Sequence, residues 1–81
     1  MSELTREHLR RRKDDAMEAF VYAKSAVYHL ARKLEPDEPV GRLRALIEQA
    51  DAAGRRWREA CDAYIAFLEA EQAKSLVEAV Q

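Results

Sequence analysis

Glu35-Pro36-Asp37-Glu38-Pro39 is the stretch of this 81-residue chain through which a helix cannot run. A proline pushes the residue before it out of helical geometry, so a first helix is predicted to end near Leu34. Asp37 or Glu38 can cap a second helix, with Pro39 in the first turn, where its missing N–H costs nothing. The two acids also suit the positive end of that helix. So short a connection makes the helices antiparallel neighbours. The reading is all-α and a single domain: helix 1 over about 3–34, the turn over 35–39, helix 2 over about 39–79.

Composition agrees. Ala, Glu, Arg, Leu, Lys and Gln dominate, and Gly and Pro occur twice each. These are strong helix formers with few breakers among them. Ser2 and Thr5 are both acceptable caps for helix 1. Its apolar stripe is Leu9, Ala16, Met17, Phe20, Ala23, Val27, Leu30, Ala31 and Leu34, at helical spacing. Lys13 and Lys24 fall inside that stripe, where they are expected to reach for water at its margin.

On helix 2, Val40, Leu43, Ile47, Ala50, Gly54, Trp57, Cys61, Tyr64 and Leu68 alternate by three and four, which is a coiled-coil seam. Leu46, Ala53, Ala60 and Phe67 form a second line beside it. Folding about the turn sets residues whose numbers sum to about 74 opposite each other. Phe20 then faces Gly54, Ala16 or Met17 faces Trp57, Val27 faces Ile47 and Leu30 faces Leu43. Large meets small at Phe20–Gly54, which makes Gly54 a packing glycine. A stripe this wide asks for two neighbours. Helix 1 is one, and a second copy of the chain is the natural other. The expected assembly is a dimer of hairpins in a four-helix bundle, its seam built from Phe20, Val27, Leu30, Leu43, Leu46, Ile47, Gly54, Trp57, Cys61, Tyr64, Phe67 and Leu68.

Catalysis finds no foothold. There is no Gly-rich phosphate loop, no nucleophile elbow and no HExxH. His8 and His29 fall on the polar side of helix 1, and Cys61 reads as a small buried hydrophobe. Opposite Lys13, with neither histidine nearby, it has no company for a metal, and no cofactor is implied. One cysteine, no apolar run of signal or membrane-span length, and a Met1-Ser2-Glu3 beginning point to the cytoplasm.

The polar features are two basic clusters, Arg10-Arg11-Arg12-Lys13 and Arg55-Arg56 with Arg58. They suit nucleic-acid phosphates or an acidic protein surface. The competing expectation is pairing across the seam, since Asp14, Asp15 and Glu18 stand at the height of Arg55–Arg58 and Glu59 and Asp62 near Arg10–Lys13. The net charge of −1 argues against a binder held by bulk charge. Tyr22 points away from the stripe and Tyr28 flanks it, and such aromatics are where interfaces concentrate energy.

The hairpin plan resembles that of plasmid copy-control proteins, which form dimeric helical hairpins and bind paired RNA. Pro36-Asp37-Glu38-Pro39 resembles the P-x-x-P turn of type III secretion needle subunits, over four residues. The first resemblance implies nucleic-acid binding and the second a filament subunit. The leading expectation is a third: a small non-enzymatic regulator or adaptor, of the kind bacteria or phages encode, that binds and modulates another protein through Tyr22, Tyr28 and the arginines.

Overall fold

A computed structural model describes residues 2–80, and its two helices are α1 (Ser2–Lys33) and α2 (Gly41–Val80). They run antiparallel as a rod of 70 × 17 × 15 Å. The radius of gyration is 19.0 Å, where a compact chain of this length would have roughly 12 Å.

The turn has a simple cause. The Glu38 N–H donates to the Glu35 carbonyl at 3.1 Å, closing a β-turn with Pro36 and Asp37 at its centre. Pro36 supplies the fixed φ of the first central position. No described residue outside glycine has a positive φ, which rules out a type II turn. The first helical bond of α2 runs from the Arg44 N–H to the Val40 carbonyl at 2.9 Å. Val40 is therefore the cap, and Asp37, Glu38 and Pro39 all precede the helix. The sequence placed the cap two or three residues too early, because the acids and Pro36 are taken up by the β-turn. At the other end Thr5 lies within α1, which already includes Ser2.

The facing stripe of α1 is Leu9, Lys13, Ala16, Phe20, Ala23, Val27 and Leu30, continued by Leu34 just past its end, all half-buried. Intervals of three and four alternate through it without a break. Met17 and Ala31, expected in the stripe, are exposed on its flank. On α2 the facing line is Leu43, Leu46, Ala50, Ala53, Trp57, Ala60, Tyr64, Phe67 and Glu71, again alternating by three and four. Four of these nine positions belong to the predicted seam, four to the line beside it, and Glu71 to neither. Ile47 and Val40, predicted in the seam, are 42% and 55% exposed. Alanines explain the rotation: with Ala50, Ala53 and Ala60 turned inward, the two backbones approach closely, and the bulkier Ile47 is left at the edge. Those three alanines are the only apolar side chains buried among the described residues, and no large side chain is fully enclosed.

Register follows the predicted sum. A Cβ added at Gly54 would lie 3.1 Å from Cε1 and 3.2 Å from Cζ of Phe20. The Phe20 ring stacks on Trp57 at 5.8 Å between centroids and 25° between planes. Further along, the Lys13 ammonium lies 5.7 Å from the Tyr64 ring centroid. No helix among the described residues is long and apolar enough to cross a membrane.

Candidate interaction surface

The hairpin has two broad faces, one on each side of the seam. On the first, Lys24, Val27, Tyr28, Ala31, Ile47, Ala50 and Asp51 line a shallow groove. Phe20, Gly54, Trp57 and Arg58 line another beside it. Met17 and Val21 stand one heptad before Lys24 and Tyr28, so they share this face, as does Ile65, one heptad after Arg58. On the second face, Ala19, Ala23, Ala45, Ala52, Ala53, Glu48, Gln49 and Arg56 line the groove.

The two faces differ in bulk. Five large apolar side chains exposed within the paired helices, Met17, Val21, Tyr28, Ile47 and Ile65, lie on the first face. Tyr22, 79% exposed, lies on the second, where the apolar groups lining the groove are alanines. Toward the open end of the rod, Leu4, Leu76 and Val77 are also exposed. Sequence periodicity located the apolar lines but not this asymmetry. Only the rotation set by the buried alanines decides which side of the seam receives the larger residues.

The residues singled out from sequence fall into place on this frame. Phe20, Val27, Leu30, Leu43, Leu46, Gly54, Trp57, Cys61, Tyr64, Phe67 and Leu68 are half-buried, and Ile47 is exposed on the first face. Tyr28 is exposed there, with the Arg32 guanidinium 5.5 Å from its ring centroid and 3.4 Å from its hydroxyl. Its ring meets His29 edge-on at 5.9 Å.

The basic clusters do not form one patch. Arg10, Arg11 and Arg12 are consecutive, so they fan over about 200° of the helix, and Arg55, Arg56 and Arg58 over about 160° of α2. Pairing across the seam is not found among the described residues. Arg10 instead donates to Glu7 at 2.7 Å, and Arg11 lies 3.9 Å from the same carboxylate. Glu7 holds Arg10 more firmly in its charged form, by hydrogen bond first and by charge second. Local partners one turn away win because they need no reach across the hydrophobic seam.

Lys13 stands inside the facing stripe. Its ammonium escapes toward the edge, donating to Asp14 Oδ1 at 2.8 Å. The hydrogen bond raises the Lys13 pKa and lowers that of Asp14. Lys24, expected in the stripe, is exposed on its flank, with its ammonium 5.1 Å from the Phe20 ring centroid. Among the described residues no three His, Cys, Asp or Glu side chains gather where a metal would sit. The grooves are open troughs between two helices.

The chain matches no protein-family model, no curated protein and no solved structure.

Proposed function

We propose that this chain is a non-enzymatic binding protein: two hairpins pair into a four-helix bundle, and the bundle modulates another protein by occupying its surface. The observation that carries this reading is the amount of surface left open. The chain exposes 6799 Å², whereas a compact globule of 9.3 kDa would expose roughly 5,000 Å². About 1,800 Å² of surface is therefore in excess, more than the ~800 Å² per partner of a standard interface. A two-helix rod with three buried alanines has little to hold it together alone.

A foreign protein would then meet the outer surface of the bundle, where Tyr22 is the exposed aromatic of the alanine-rich face. The splayed arginines, interleaved with Glu7, Asp14 and Asp15, favour discrete ion pairs with a protein over a track of phosphates. The test is a pull-down with tagged chain from lysate, with and without nuclease, beside Tyr22→Ala. The reading expects one protein captured in stoichiometric amount in both conditions, and less of it by Tyr22→Ala with helicity retained. Capture that vanishes with nuclease, or falls steeply with salt, would replace it with nucleic-acid binding.

A further inference from the structure

We infer that the face carrying Met17, Val21, Tyr28, Ile47 and Ile65 is where a second copy of this chain packs, so that the alanine-rich face with Tyr22 stays outside the bundle. This rests on the bundle reading above and adds which surface closes it.

Two observations select the occupant. The first is area and its distribution. The excess exposure is more than one side of a standard interface requires, and the first face holds most of the large apolar groups that the paired helices leave in water. An isologous dimer buries the same patch twice, so one apolar face suffices to close a four-helix core. The second is charge. The ionised groups on that face within the paired segment are Glu7, Arg10, Asp14 and Lys24 of α1 and Arg44, Asp51, Arg55 and Arg58 of α2. Within this set Asp14, Lys24, Asp51 and Arg58 can pair acid with base across a two-fold. If the two hairpins lie with their turns at the same end, α1 faces α2 of the second copy. Lys24 then stands at the height of the second copy's Asp51, and Asp14 near its Arg58. If the turns lie at opposite ends, like helices face each other about the middle of the rod, and Asp51 meets Arg58 while Asp14 meets Lys24. Either two-fold pairs acid with base. Between the charges, Val21 and Gly54 stand at similar heights on the two helices, as do Tyr28 and Ile47, so bulk can again meet a gap or another apolar group.

The experiment has two arms. In the first, sedimentation equilibrium compares wild type with Val21→Lys and Ile47→Asp on this face, and with Tyr22→Lys and Ala52→Glu on the other. Circular dichroism accompanies each variant. Wild type is expected at twice the 9.3-kDa chain mass. The first pair should weaken the dimer by about tenfold or more, because a charge enters an apolar contact, and the second pair should leave it unchanged. In the second arm, which needs no variant, isotopically light and heavy wild-type chains are mixed and coupled with a carbodiimide, which joins lysine to carboxylate. Light-to-heavy peptides linking Lys24 to Asp14 or Asp51 are expected. A wild-type dimer that survives Val21→Lys but is lost in Ala52→Glu, or mixed-isotope links confined to Lys33 and Lys74, would overturn the face and leave the bundle standing. A wild-type chain monomeric at every concentration would remove both.

Discussion

Gly54 is where the register can be tested with a single methyl group. Changing it to alanine invokes two opposed effects of similar size. Removing a glycine from the interior of a long helix favours folding by about 1 kcal/mol. Against this, the new Cβ would lie 3.1, 3.2 and 3.6 Å from three carbons of the Phe20 ring, closer than the ~3.5–4.0 Å at which carbon atoms attract. The ring must give by a few tenths of an ångström. It has somewhere to go, because Phe20 and Gly54 line an open groove, but moving strains its stack on Trp57 at 5.8 Å. Overpacking of this kind costs about 1 kcal/mol at the low end. Gly54→Ala should therefore be nearly neutral, within about 0.5 kcal/mol. In a Phe20→Ala background the obstacle is gone, and the same change should stabilise by about 1 kcal/mol. The coupling, about 1 kcal/mol, is what a double-mutant cycle in urea reports, at one fixed chain concentration because the proposed assembly would shift stability. Trp57 fluorescence should also change in Gly54→Ala as the neighbouring ring shifts. If alanine stabilises equally in both backgrounds, Phe20 does not lie over Gly54 and the antiparallel register is wrong.

Three further outcomes follow from the same packing. Trp57→Ala removes the largest half-buried side chain of the seam and should cost about 2 kcal/mol, below the range for fully buried aromatics, as read from the urea midpoint. Asp14 has its pKa lowered from 3.8 by the Lys13 hydrogen bond, so its contribution is present above that value and lost as pH falls through the lower folded one. Acid unfolding should accordingly be shallower in Asp14→Asn below about pH 4, and since the pair faces water the difference should shrink in high salt. Deleting residues 74–81, where α2 runs on past α1 and the described side chains are exposed, should lower helicity but shift stability by less than about 0.5 kcal/mol, measured by circular dichroism and urea.

Much of the fold was legible because its signals are local. Pro36 and Pro39 mark the only place two long helices can part, and the sum rule placed Phe20 over Gly54 from the turn alone. The helix cap was misplaced because Asp37 and Glu38 serve equally well as cap residues and as turn residues, and spacing does not separate the two. The seam of α2 was half right for a related reason. Ile47 and Leu46 are adjacent apolar residues on a wide stripe, and a helix can roll between them at little cost in hydrophobic area. What fixed the roll was the close approach allowed by Ala53 and Ala60, a packing property of two helices together. Charge matching by height predicts that the arginine clusters pair with acids across the seam, yet Arg10 and Arg11 turn to Glu7 on their own helix, because a neighbour one turn away requires no long side chain to be immobilised. No feature of the sequence chose between the two faces of the hairpin, which is why the interaction surface emerged only from the rotation of α2.

The central claim is that a lone hairpin lacks the interior to be stable and is completed by a second copy. Thermal unfolding of the wild-type chain, followed by circular dichroism over a hundredfold range of concentration, tests it most directly. Because association stabilises only the paired state, the account predicts a melting temperature that climbs with concentration. A melting temperature that does not move, from a chain of monomeric mass throughout, would contradict it.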